Sequence, residues 1–192
     1  MKNVIVIGAS GNIARLVIDM LVQKDDINLT LFLRNKNRLR NKNLTRCRII
    51  EGNALDYHQV KEAVAGQDIV YANLAGDLEA MAKNIVKVME EGGVKRLIFI
   101  SSIGIYDTPL RSVLRPYRQA ADVIEASKLQ FTILRPTWFT DVNEVEYELT
   151  RKGEPEKGSV ISQKSLATFI AKLIESPDEF VRENLGINKP NS

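Results

Sequence analysis

The segment from Val4 to Ala14 constrains the fold most, because an apolar strand there runs directly into a glycine-containing turn that opens a helix. Val4-Ile-Val-Ile is followed by Gly8-Ala-Ser-Gly11, and apolar residues then recur at helical spacing from Ile13. Glycine at positions 8 and 11 allows a tight turn and a close approach of the backbone to a ligand. A helix that begins near Gly11 presents free N–H groups and the positive end of its dipole to the turn. The sequence therefore predicts an anion site suited to a pyrophosphate.

Strands and helices alternate along the rest of the chain. Further strands are expected at residues 28–33, 48–51, 68–72, 95–100 and 130–134. Helices are expected around residues 60–64 and 78–91, where Gly92-Gly93 is a stop signal, and over residues 116–127 and 163–175. Such alternation implies parallel strands with right-handed crossovers. The prediction is an α/β fold: a Rossmann-type doubly wound parallel sheet with helices on both faces, in a single domain over residues 1–192 with a small substrate-side segment near 137–160.

The composition narrows the class of protein. Hydrophobic residues make up 44% of the 192 residues and charged residues 27%, as in a globular domain. No apolar run approaches the roughly 20 residues of a membrane span, and we expect a cytoplasmic protein. Cys47 is the only cysteine, so the chain cannot form an internal disulfide. Its thiol is either made reactive by the flanking arginines or has a structural role. The structural role is favoured, because free cysteines are usually buried. His58 is the only histidine and no thiol cluster accompanies it, so no metal site is predicted.

Five segments at the expected carboxyl ends of strands carry a family resemblance. They read GASGNIA at 8–14, EGNALD at 51–56, ANLAG at 72–76, ISSIG at 100–104 and TILRP at 132–136. Together they resemble the atypical, NmrA-like NAD(P)H-binding branch of the short-chain dehydrogenase/reductase superfamily. That branch contains flavin, biliverdin and quinone reductases and also non-catalytic NAD(P)-sensing regulators. The resemblance therefore implies the cofactor class and leaves the reaction open.

The same strand ends supply the expected cofactor contacts. These are Gly8, Ser10, Gly11, Asn12, Ile13, Arg34, Arg38, Asn53, Ala54, Asn73, Leu74, Ala75, Gly76, Ser101 and Pro136. Asn53 and Asp56 either flank the adenine or cap the following helix. Ala14 replaces the third glycine of the family turn, which serves helix packing, and its methyl group is expected to be tolerated.

The charges after the second strand predict a preference for NADP(H). An NAD-specific site places an acid there to bond the ribose 2′-hydroxyl, whereas this chain has Arg34 and Arg38. They belong to a basic cluster between residues 34 and 48, in a chain of net charge +3. The cluster has no interleaved aromatic residues for base stacking, so nucleic-acid binding is the minor interpretation.

The family's acid–base residues are incomplete in this chain. The resemblance implies Ser102 or Ser101 and Tyr117 as catalytic residues, but Ala121 stands where the family has a lysine four residues after the tyrosine. Without a neighbouring cation a tyrosine side chain titrates near pH 10 and is a poor acid at neutral pH. Tyr106 is a second candidate hydroxyl, also without a lysine in register. A structural or ribose-contacting role for either tyrosine is favoured over catalysis.

The segment after the sixth strand suggests the acceptor. Trp138 and Phe139 either stack on a planar substrate, form a lid or pack in the interior. The leading hypothesis is an NADPH-dependent reductase of a small planar acceptor of quinone or flavin type. The alternative is a non-catalytic regulatory protein that senses NADP(H). The sequence defines neither the acceptor nor the oligomeric state.

Overall fold

An eight-stranded sheet forms the centre of the fold. A computed structural model describes residues 1–192. The strands are β1 (Lys2–Ile7), β2 (Ile27–Leu33), β3 (Arg48–Glu51), β4 (Ile69–Ala72), β5 (Arg96–Ile100), β6 (Gln130–Pro136), β7 (Trp138–Thr140), β8 (Glu148–Arg151), β9 (Val160–Ser162) and β10 (Glu183–Asn188). Their order in the sheet is β3-β2-β1-β4-β5-β6-β10-β8, and every neighbouring pair is parallel except β10 and β8. β7 and β9 pair in parallel as a separate two-stranded sheet.

Five helices cover the two faces of the sheet. They are α1 (Asn12–Leu21), α2 (Tyr57–Val64), α3 (Leu78–Gly92), α4 (Arg115–Glu125) and α5 (Gln163–Glu175). α1 and α5 pack in one buried cluster with Val4 and Val6, while α2, α3 and α4 pack in the other with Ile5 and Ile7. Successive residues of β1 thus point to opposite cores, which is why its sequence is continuously apolar.

Polar residues fix several helix ends. The Asp56 carboxylate accepts hydrogen bonds from the N–H groups of His58 and Gln59 at 2.9 and 3.1 Å, so the capping interpretation of Asp56 is correct. Asp77 caps α3 in the same manner, and Gly93 ends it with φ of 72°. The two aspartates thus set where α2 and α3 begin after β3 and β4.

The predicted class of fold is confirmed, with additions to the predicted elements. The α/β architecture has a mostly parallel sheet with helices on both faces. β7, β8, β9 and β10 were not expected, and β6 extends two residues beyond the predicted strand. No helix of the structure combines the length and the apolar character that crossing a bilayer requires.

A buried polar cluster ties the segment between β8 and β9 to the sheet. Arg135 of β6 is only 1% exposed; its Nε donates to Glu156 Oε1 at 2.7 Å and its Nη1 donates to the Asn184 carbonyl at 2.8 Å. Glu156 Oε2 also accepts from the Gly104 N–H at 3.2 Å. One carboxylate therefore joins the segment between β8 and β9 both to β6 and to the loop after β5.

Candidate functional site

A cavity of about 450 Å³ lies at the carboxyl ends of β1, β2 and β4. Its walls come from the turn after β1, the segment after β2, residues 52–55 and residues 73–75, with Phe139 and Gln163 contributed from beyond β6. The neighbouring strands β1 and β4 are where the order of the sheet reverses direction. An open α/β sheet binds its ligand at this position, so the cavity is the candidate site.

The turn after β1 presents unpaired donors to the cavity. Gly8 has φ of +86°, which side-chain-bearing residues rarely adopt, and its carbonyl accepts from the Gly11 N–H at 3.0 Å. The N–H groups of Asn12 and Ile13, at the start of α1, donate to no carbonyl of the chain. Gly11 precedes them and supplies no side-chain cap. The helix start therefore offers free N–H groups and its positive dipole end to an anion.

The segment after β2 brings positive charge to the same cavity. Arg34 and Arg38 are exposed and line it, and neither forms an ion pair within the chain. The acid closest along the adjacent strand, Glu51, does not line the cavity, because its carboxylate accepts from the Lys36 N–H at 2.9 Å and pairs with the Lys36 ammonium. The cavity wall at β2 is consequently cationic and free of carboxylates.

Most of the expected cofactor contacts surround this one cavity. Asn53, Ala54 and residues 73–75 line it together with the glycine turn. Gly76, Ser101 and Pro136 do not line it. The Ser101 hydroxyl is buried at the end of β5 without a hydrogen-bond partner, and the Pro136 carbonyl accepts from the Ile103 N–H at 3.1 Å. These three residues stay predictions as cofactor contacts.

The expected catalytic residues lie outside the cavity. The Ser102 hydroxyl donates to the Ile103 carbonyl at 3.1 Å. Tyr117 is half-buried on α4 and packs against the apolar cluster formed with α2 and α3. Neither side chain lines the candidate site. Their catalytic roles stay predictions.

A lysine does lie beside Tyr106, although it comes from a distant part of the chain. Lys152 Nζ lies 4.7 Å from the centroid of the Tyr106 ring. The Tyr106 hydroxyl accepts from Asn184 Nδ2 at 2.7 Å and lies 3.4 Å from Glu125 Oε1. Burial, with the Glu125 charge, raises the pKa of Tyr106 above its ordinary value, while Lys152 opposes this. Tyr106 therefore belongs to the buried polar cluster and is not activated as an acid.

Phe139 and Gln163 are the lining residues that lie beyond β6. Phe139 is 48% exposed and Trp138 is 70% exposed, so interior packing is wrong for both. Only Phe139 lines the cavity, because β7 pairs with β9 and sets alternate side chains on opposite sides. Gln163 begins α5 immediately after β9, and nothing in its local sequence indicated a site.

Cys47 is half-buried just before β3. Burial raises the pKa of its thiol, and the opposing effect of Arg46 is smaller. The thiol is therefore not activated by its arginine neighbours, which agrees with the structural role.

These features together define a Rossmann-type nucleotide-binding protein: the order β3-β2-β1-β4-β5-β6, the glycine turn and the cavity at the reversal point. The chain belongs to the NAD(P)H-binding family, which it matches over residues 8–177. The assignment to the atypical short-chain dehydrogenase/reductases is confirmed by this match and by the solved structures of similar fold.

Several solved structures resemble the whole chain. A Rossmann-fold NAD(P)-binding family protein from Shigella flexneri is 46% identical, with a TM-score of 0.93 over 100% of this chain and 95% of that chain. A short-chain dehydrogenase/reductase of Veillonella parvula DSM 2008, in complex with NADP, is 26% identical, with a TM-score of 0.89 over 99% and 95% of the two chains. ChuY, an anaerobillin reductase from Escherichia coli O157:H7, shares only the fold, at 16% identity and a TM-score of 0.84 over 100% and 98%. No curated protein sequence matches the chain.

The cavity fits the dinucleotide that the family binds. Its volume is in the range of small-molecule sites. The free N–H groups of α1 suit a pyrophosphate, and the unpaired Arg34 and Arg38 suit a further negative charge. Asn53 and Asn73 add amide groups for the polar parts of a nucleoside.

Proposed function

We propose that the protein is an NADPH-dependent reductase of a small planar acceptor of quinone or flavin type, of the NmrA-like branch and acting in the cytoplasm. The observation that carries the binding of NADPH is the cavity wall, where free N–H groups of α1 face the unpaired Arg34 and Arg38. Its charged lining residues are arginines, and it contains no histidine, lysine, tyrosine, cysteine or carboxylate. Arginine stays protonated in proteins, so the wall offers no group that exchanges a proton near neutral pH.

The incomplete acid–base residues favour acceptors that need little acid catalysis, because Ala121 stands where a lysine would assist Tyr117 and the Ser102 hydroxyl donates to the Ile103 carbonyl. When bound, a reduced nicotinamide supplies a hydride. A quinone or flavin takes up that hydride as a stabilised anion and obtains its proton from water, whereas an aldehyde needs a proton donor as its alkoxide forms. The half-exposed ring of Phe139 supports the same class, because a planar acceptor can stack on it. In this proposal the protein binds NADPH and the acceptor and orients them for hydride transfer.

The direct test is anaerobic oxidation of NADPH with a panel of quinones, flavins and aldehydes. We expect turnover with quinones or flavins and none with aldehydes. Efficient aldehyde reduction would contradict the acceptor class. Tight NADPH binding without turnover of any acceptor would instead favour the regulatory alternative. Exposed Trp138, Val142 and Val145 support that alternative, because such residues can contact a protein partner.

NADPH is expected to bind more tightly than NADH. Each charged hydrogen bond from an arginine to a phosphate is worth about 1.5–3 kcal/mol. Arg34→Glu should therefore weaken NADPH binding about tenfold or more, because it replaces a cation of the cavity wall by an anion. Calorimetric titration of the wild type and of Arg34→Glu with both cofactors measures these affinities. Equal affinities of the wild type for NADPH and NADH would refute the preference.

Activity is expected to depend weakly on Tyr117. This side chain lies outside the cavity, and Ala121 stands where a lysine would assist it. Tyr117→Phe should change kcat/KM for a quinone by less than about tenfold, or 1.4 kcal/mol of barrier. A loss of about a hundredfold with NADPH affinity retained would show a true catalytic acid, since general acid catalysis contributes about 10²–10⁴-fold.

A further inference from the structure

Gln163 supplies a polar group to the part of the cavity wall that carries Phe139. Of the residues that line the candidate site, only these two come from beyond β6, and the other polar side chains follow β1, β2, β3 or β4. β7 carries Phe139 and pairs with β9, which Gln163 follows directly. The Ser162 hydroxyl caps α5 by accepting from the Ser165 N–H at 2.9 Å. A paired strand and a capped helix therefore fix the position of Gln163 in the wall.

A hydrogen bond to Asp141 sets the orientation of the Gln163 side-chain amide. Gln163 Nε2 donates to Asp141 Oδ1 at 2.5 Å. An ionised carboxylate only accepts hydrogen bonds, so it holds the NH₂ end of the amide and cannot hold the carbonyl end. Asp141 lines a neighbouring groove and not the candidate site, whereas Gln163 lines both. Gln163 Oε1 accepts no hydrogen bond within the chain, so the end of this amide that is left for a ligand is the carbonyl oxygen.

A free carbonyl oxygen distinguishes planar acceptors by the groups on their edges. The oxygens of a quinone only accept hydrogen bonds, so a quinone edge that faces Gln163 Oε1 leaves both oxygens without a donor. The ring system of a flavin carries an imide N–H between two carbonyl groups, and this N–H can donate to the Gln163 oxygen. A ring that stacks on Phe139 has its edge free for such a contact. Stacking on Phe139 and recognition of the edge by Gln163 are therefore compatible.

We propose that Gln163, held in this orientation by Asp141, determines the specificity for the acceptor by accepting a hydrogen bond from a ring N–H. The protein then selects planar heterocycles that carry such a donor and discriminates against quinones. Gln163 contacts the acceptor, and Asp141 is a positioning residue that acts through Gln163. The inference rests on the proposed reduction of a planar acceptor at the candidate site. A site of this kind rejects an acceptor that lacks the donor, because the polar group of the site is then left unpaired.

The test compares lumiflavin with its N3-methyl derivative, which lacks the ring N–H, as acceptors in the oxidation of NADPH. The wild type should show a kcat/KM about tenfold or more higher for lumiflavin, the effect of about one hydrogen bond. Gln163→Met keeps the length of the side chain and removes the amide, so it should bring the two flavins within about threefold of each other. It should not lower kcat/KM for menadione, a quinone, and should leave NADPH affinity within about threefold.

Asp141→Asn tests the positioning role separately. The NH₂ group of an asparagine can donate to Gln163 Oε1, so this variant permits both orientations of the Gln163 amide. The preference for lumiflavin over its N3-methyl derivative should therefore fall about threefold or more. Lys164→Met is the matched control, because Lys164 lines the groove beside Asp141 and not the candidate site. It should keep the preference of the wild type.

Binding of the two flavins to the protein saturated with NADP⁺, followed by the quenching of flavin fluorescence, gives the same comparison without turnover. If Gln163 distinguishes the two flavins in binding but neither is reduced, only the reductase proposal fails. If the wild type reduces both flavins with equal kcat/KM, only this inference fails. The inference is also overturned if Gln163→Met keeps the preference for lumiflavin, if that variant instead loses about tenfold in NADPH affinity, or if neither flavin binds.

Discussion

Gly11→Val is expected to weaken the binding of both NADPH and NADH by about a hundredfold or more, equivalent to roughly 2.7 kcal/mol, while the protein stays folded. A Cβ at position 11 would lie 2.4 Å from Asn73 Nδ2, so the Asn73 side chain must move within the cavity wall. The branched side chain would then stand in front of the free N–H groups of α1. Calorimetric titration measures the affinity, and thermal unfolding monitors the fold.

Substitutions of two other glycines distinguish a loss of cofactor binding from a loss of stability. Gly92→Val is the control, because a Cβ there meets no atom within 4 Å. Gly8→Val should instead destabilise the fold by about 3 kcal/mol or more, since its Cβ would lie 2.1 Å from the Asn73 backbone oxygen and its φ is +86°. Normal cofactor affinity in Gly11→Val would show that the turn does not hold the pyrophosphate.

Arg135→Met is expected to lower the free energy of unfolding by about 3–5 kcal/mol, because it leaves a carboxylate without its buried partner. Arg135 is 1% exposed, and Glu156 would lose the donor that now lies 2.7 Å away. Denaturant unfolding monitored by circular dichroism measures the change.

Arg46→Met is the matched control for that substitution. Arg46 pairs with Asp25 at 2.9 Å, both side chains are exposed, and such exposed pairs contribute about 0.2–1 kcal/mol. A loss below about 1 kcal/mol in Arg135→Met would contradict the structural role of the buried pair. The difference between the two variants isolates the effect of burial.

Five of the first six strands were predictable because they are apolar runs that are mostly buried, whereas β3, with three of its four residues exposed, was predictable from its place in the alternation of strands and helices. β10 was not, since its sequence Glu183-Asn-Leu-Gly-Ile-Asn188 carries two asparagines at buried positions. Asn184 and Asn188 are satisfied by Tyr106 and Glu148, which are far away in the chain. Because the partners of these polar side chains are distant in the sequence, β10 lacks the local apolar pattern that predicts a buried strand.

Some residues of the candidate site were predictable from the sequence, and others were not. The glycine turn and Arg34 were predictable because each has a local chemical reason at a strand end. Gln163 was not predictable, since it lines the cavity only because α5 begins directly after β9. The sequence of Phe139 is compatible with stacking, a lid or interior packing, and the pairing of β7 with β9 leaves its side chain half-exposed.

The insertion of β10 between β6 and β8 dictates an order of assembly. β8 is synthesised before β10, yet β10 is its only partner in the sheet. β8 therefore has no strand partner in the sheet until the chain has been made as far as β10. Pairing across such long sequence separations is slow, so the segment that carries Glu156 is expected to acquire protection from hydrogen exchange last. Leu185 and Ile187 of β10 also belong to the buried cluster of α1 and α5, so one late strand completes both the edge of the sheet and the core beneath the glycine turn.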